Sequence, residues 1–176
     1  YPFPITHSQL PMNTEQKTTT TLSTSTDERL RFLQQIPIFQ EIENQNFLPQ
    51  LAAHLKEETF PADRTVFNKG EEGNLLYILL DGRVQVHIEN FPLIQLETGA
   101  YFGEMALFDS NVRSASVTTL SECKCLILTR QQIHQAIKEN PAIAINMIRV
   151  LVSRVRKLNR LFGASEDLFY FMLKEK

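Results

Sequence analysis

Between Tyr101 and Val117 the chain gathers the residue types that hold a phosphorylated sugar. Gly103 has no Cβ and lets backbone come close to a ligand. Glu104 beside it is a carboxylate that can accept from a ribose hydroxyl. Phe102, Met105, Ala106 and Leu107 are apolar and can begin a helix, whose free N–H groups and positive end would face an anion. Arg113 supplies a guanidinium fork suited to phosphate, and Ser114 a hydroxyl donor next to it. Ala115 adds a small residue with a backbone N–H. Alternation resumes from Ser114 to Val117, which returns the chain to a strand.

These residues need a frame that brings 103–104 and 113–115 together. From Glu57 to about Leu128 the apolar period is two, and the spacing predicts strands over 57–60, 64–68, 75–80, 83–89, 92–96, 114–119 and 122–128. Turn residues fall at Gly70 to Gly73, Asp81-Gly82, Glu89-Asn90 and Thr98-Gly99. Short strands joined by glycine turns predict a β-roll or jelly-roll barrel, a mostly β fold with flanking helices, and its interior is a natural small-ligand site. Tyr77 and Val86 are expected inside the barrel, close to a bound ligand, and core packing alone explains them equally well.

Helices are expected on both sides. Ser25, Thr26 or Asp27 can cap a helix over 28–35, and 44–56 reads as a second amphipathic helix with Pro49 in its first turn. Thr129 can cap a helix over 130–138, broken at Asn140-Pro141. A longer helix then runs from about Ala142 to Leu161. Gly163 is expected to stop it, leaving a short helix over 166–173. Residues 1–26, rich in Thr, Ser, Gln and Pro, read as a flexible tail ahead of one domain over 27–176.

Composition narrows the function. The 176 residues carry 43% hydrophobic residues and a net charge of -2, which argues against a protein that coats nucleic acid. No run approaches the roughly 20 apolar residues of a membrane-spanning helix. The two cysteines, Cys123 and Cys125, share one face of a strand and cannot bridge easily, so they read as buried thiols in a reducing cytoplasm. No metal-ligand cluster, Ser-His-Asp order or phosphate loop is present in the sequence, so no enzyme is expected. His54, His87 and His134 lie on separate elements.

The stretch Phe102-Gly103-Glu104-Met105-Ala106-Leu107, five further residues, then Arg113-Ser114-Ala115 resembles the phosphate-binding cassette of the cyclic nucleotide-binding domain family. Met105 replaces the usual Leu or Ile. Similarity extends over roughly Leu30 to Phe162, through Lys69-Gly70-Glu71, Leu75 to Leu80, Asp81-Gly82-Arg83-Val84 and Thr98-Gly99. The resemblance implies a regulatory module binding cyclic AMP or cyclic GMP. Glu104 would take the ribose 2′-hydroxyl, and Arg113 with Ser114 and Ala115 the cyclic phosphate. Ser116 would sit on the strand, near the purine at most.

In the family the last helix closes over the purine and forms dimer contacts. Leu151, Arg154 and Val155 are candidates to reach the base, and the seam Ile148, Leu151, Val155, Leu158, Phe162 is a candidate homodimer interface. The helix is basic, with no acid between Asn140 and Glu166. Too few residues follow Phe162 for a helix-turn-helix, so no DNA partner is expected. An attached effector, were the chain a fragment, would read the helix position. The alternative is a domain that kept the fold, lost the ligand and acts as a dimerisation or docking scaffold.

Overall fold

The computed structural model describes residues 24–42, 44–109 and 112–174. Most of the expected tail, residues 1–23, lies outside them. Helix α1 (Thr26–Gln35) starts at Ser25, whose Oγ accepts from the Glu28 N–H while the Glu28 carboxylate accepts from the Ser25 N–H. A 3-10 turn (Pro37–Phe39) and helix α2 (Phe47–His54) follow. Helix α2 is shorter than the expected 44–56. The Asn44 side chain accepts from the Asn46 N–H and holds a turn there, and Lys56 already pairs with Ile127 in the first strand.

Eight strands come next: β1 (Lys56–Phe60), β2 (Thr65–Phe67), β3 (Leu75–Asp81), β4 (Arg83–Ile88), β5 (Phe91–Glu97), β6 (Tyr101–Phe102), β7 (Ser116–Thr119) and β8 (Cys123–Thr129). A four-residue helix, α3 (Met105–Phe108), lies between β6 and β7. One sheet runs β1-β8-β3-β6 and the other β2-β7-β4-β5, with antiparallel pairing in both. This is the expected mostly β roll with flanking helices. The two-residue β6, paired with Ile78 and Tyr77, is too short to leave a periodic signal. Strand β7 begins at Ser116 rather than at 114, because Arg113 and Ser114 belong to the loop.

The first sheet has two dry faces, which explains why Leu75 to Leu80 is apolar without a break. Leu76, Ile78, Leu126 and Leu128 pack on the helices, together with Leu33, Ile38, Leu51 and Ile143. Tyr77, Leu79, Cys123, Cys125 and Ile127 point the other way, into the barrel, with Phe67, Val84 and Phe102. Both thiols are thus buried, as their spacing predicts, and burial pushes the Cys125 thiol up to about 12.

Thr129 caps α4 (Arg130–Glu139) through a reciprocal bond with Gln132. Helix α5 then spans Ala142–Lys174 without a break. The expected stop at Gly163 is therefore incorrect, and the expected helix over 166–173 is the continuation of α5. A terminating glycine takes a positive φ, as Gly70, Gly82, Gly99 and Gly103 do, and Gly163 does not. Glycine inside a helix costs about 1 kcal/mol relative to alanine, too little to break a segment flanked by good helix formers.

Candidate functional site

Strand β3 sets the site. Leu79 accepts from the Gly99 N–H and donates to the Ala100 carbonyl, both at 2.8 Å, which steers the chain into β6. Strand β6 sends Tyr101 toward the helices and Phe102 into the barrel, where Phe102 stacks on Tyr77 at 5.1 Å. Gly103 follows with φ 84°, a conformation that favours glycine. The backbone there turns into α3.

Arg113 lies in a slot built for it. Its Nη1 donates to the Gly103 carbonyl at 2.7 Å, and its guanidinium carbon stands 4.0 Å from the Phe67 ring centre. A Cβ on Gly103 would come within 2.6 Å of Nη1, and one on Gly73 within 2.3 Å of Nε. Two glycines and an aromatic face therefore hold the cation flat. Arg113 is 5% exposed, and its Nε has no hydrogen-bond partner among the described residues. No carboxylate among them makes an ion pair with it. Burial lowers its pKa, against the pull of Tyr77, Glu104 and Glu71. A buried cation in this state has an unmet demand for an anion.

Glu104 is 4% exposed. Its Oε1 accepts from Arg154 Nη1 of α5 at 2.9 Å. Burial raises its pKa, and Arg154 opposes that rise. Arg154 also donates to the Tyr101 carbonyl and lies 4.8 Å over the Tyr101 ring. The Tyr101 hydroxyl in turn donates to the Met147 carbonyl at 3.4 Å. Helix α5 is tied to the Tyr101–Glu104 segment at two points.

Glu104, Arg113, Ser114 and Arg154 line a cavity of about 330 Å3, within the range of small-molecule sites. Its other wall is apolar and includes Val86, Ile88, Leu93, Ile94, Val117 and Leu158. Phe102, Gly103, Met105, Ala106 and Ala115 also border it, so every expected site residue reaches one cavity. A larger cleft of about 890 Å3 beside α4 is open, and the charged groups on its wall are Glu72 and the half-buried Arg130.

Several expectations need adjustment. The Ser114 hydroxyl donates to Met105 Sδ at 3.2 Å, a weak acceptor. Ser116 accepts from the Lys69 N–H at 2.9 Å and is absent from the cavity wall. Tyr77 belongs to the aromatic cluster beneath the site, while Val86 reaches the cavity. Of the three helix residues expected near a base, Val155 lines the cavity, Leu151 does not, and Arg154 is committed to Glu104. His54 contacts the Gln50 carbonyl, His87 contacts Glu89 and Thr118, and His134 stacks on Phe108. The described residues contain no group of three or more His, Cys, Asp or Glu that could hold a metal, and no helix long and apolar enough to cross a membrane.

Residues 57–140 match the model of the cyclic nucleotide-binding domain. A CRP-like cAMP-activated global transcriptional regulator of Mycobacterium tuberculosis is 33% identical over 128 residues, covering 69% of this chain and 56% of its own length. Among solved structures, cAMP-bound PfPKA-R aligns with a TM-score of 0.68 at 24% identity, over 77% of this chain and 47% of that one. The Thermus thermophilus catabolite activator protein aligns with a TM-score of 0.63 at 24% identity, over 74% and 63%. These two likenesses show the shared fold. The chain spans about half the length of the curated regulator that it matches.

Proposed function

Because this chain carries a domain of the cyclic nucleotide-binding family, we propose that it is a regulatory module that takes cyclic AMP or cyclic GMP into the barrel cavity and signals through α5. One observation carries the proposal: a buried cation that has no anion partner among the described residues and a buried carboxylate face the same 330 Å3 cavity. The cyclic phosphate meets Arg113, with Ser114 and the backbone around Ala115 beside it. The ribose 2′-hydroxyl meets Glu104, which keeps acceptor capacity while bonded to Arg154. The purine lies against the apolar wall of Val86, Ile88 and Ile94.

Signalling follows from the Arg154 contacts. A ribose hydroxyl shares Glu104 with Arg154, and the purine draws Val155 and Leu158 of the same helix inward, so that the nucleotide tightens α5 on the cassette. The nucleotide shifts α5 only by its different affinity for the two positions. The module does no chemistry of its own, acts in the cytoplasm, and serves an effector joined to it or docked on it. Equilibrium titration of wild type and Arg113→Ala with each nucleotide tests this reading.

The second reading is a scaffold, and an exposed apolar row favours it. Ile145, Ile148, Val152 and Val155 are 44–55% exposed along one side of α5. Leu151 and Leu158 of the expected seam are half-buried instead, and Phe162 lies outside the described side chains. A homodimer through this shifted row is compatible with either reading.

A further inference from the structure

The first residue of α4 does something its position does not call for. A cation at a helix N-terminus opposes the dipole, yet Arg130 stands there half-buried. Its Nη2 donates to two carbonyls from different parts of the chain, Ala106 of α3 at 2.6 Å and Gly73 of the β2–β3 loop at 3.1 Å. Its own N–H donates to the Asn74 carbonyl at 2.8 Å. Its Nε is buried without a partner among the described residues, so the two carbonyls are what hold the head group.

Both carbonyls belong to segments that define the Arg113 slot. A Cβ added to Gly73 would meet Arg113 Nε at 2.3 Å. The same loop is stitched to the Arg113 backbone, with the Gly70 N–H bonded to the Arg113 carbonyl and the Arg113 N–H to the Glu71 carbonyl. Ala106 sits in α3, two residues beyond Glu104, and lines the cavity.

We infer that Arg130 is a positioning residue for the nucleotide site: it clamps the β2–β3 loop and α3 to the start of α4 and so fixes where the Arg113 guanidinium points. The inference rests on the cyclic nucleotide reading for its ligand and on the slot geometry alone for its mechanism. Arg130 does not touch the nucleotide, and it makes the start of α4 part of the same mechanical unit as the cassette.

The test uses the full chain. Arg130→Gln is expected to weaken cyclic AMP binding about tenfold, the scale of losing a charged donor shared by two carbonyls. Arg130→Lys, which keeps a charged donor, is expected to recover part of that loss. In an Arg113→Lys background the effect of Arg130→Gln should shrink, because both changes act through one guanidinium. In ligand-free protein the Arg113 Nε–H resonance should shift or broaden in Arg130→Gln and keep its position in Arg130→Lys. Wild-type affinity in Arg130→Gln with an unmoved Arg113 resonance overturns the inference, as do fully additive losses in the double variant. A wild type that binds neither nucleotide defeats the ligand reading, and the Arg113 resonance then still decides the clamp.

Discussion

Arg154 of α5 and Glu104 of the cassette, fifty positions apart, are joined Nη1 to Oε1 at 2.9 Å with both side chains largely out of water. The long helix therefore holds the acid that the family resemblance assigns to the ribose. Three consequences concern the site and one concerns α5.

The first is a pH effect. Burial raises the Glu104 pKa in the folded protein above its ordinary value. Between the unfolded value, about 4.3, and the raised one, the folded state binds more protons than the unfolded state. Unfolding free energy therefore falls as pH rises through that window. Arg154 limits the rise, so Arg154→Ala should move the Glu104 titration upward and extend the window. Carboxyl NMR titration of Glu104 and urea unfolding across pH check this, with Glu104→Gln removing the effect.

The second concerns glycine. Gly73→Ala and Gly103→Ala each drive a methyl into the Arg113 guanidinium, at 2.3 and 2.6 Å before relaxation. Gly103 also sits at φ 84°, so its alanine carries backbone strain of about 1–3 kcal/mol, which Gly73 does not. Both variants should lose cyclic AMP affinity, while thermal unfolding should drop further for Gly103→Ala.

The third concerns the sugar. A cyclic nucleotide without the 2′-hydroxyl leaves the buried Glu104 with one fewer donor. The 2′-deoxy analogue should bind about tenfold or more weakly. Competition titration measures the ratio, and Glu104→Gln should compress it.

The strands were legible because the barrel imposes alternation, and the continuous run Leu75 to Leu80 is resolved by its two dry faces. Cassette residues were legible because their chemistry is packed into the fourteen positions from Phe102 to Ala115. Arg154 as the partner of Glu104 was not, since a basic helix face carries no register relative to a loop fifty residues away. Arg130 was hidden for the same reason: its value lies in two carbonyls, which no side-chain pattern encodes. Gly163 misled because a glycine reads as a stop whether or not its φ is positive.

The fourth consequence lies on α5. Ile148→Asp or Val152→Asp places a charge in the exposed apolar row without altering the cassette. If the row joins two copies, sedimentation equilibrium should show wild-type dimer and variant monomer, with nucleotide affinity retained in Val152→Asp.

Calorimetric titration of the purified chain with cyclic AMP and cyclic GMP, beside Arg113→Ala, bears most directly on the central claim. Saturable one-to-one binding of at least one nucleotide by wild type, reduced at least about a hundredfold in the variant by loss of the charged phosphate contact, is the expected result. Absence of heat and of any thermal stabilisation with either nucleotide in wild type, or equal affinity in both proteins, contradicts it.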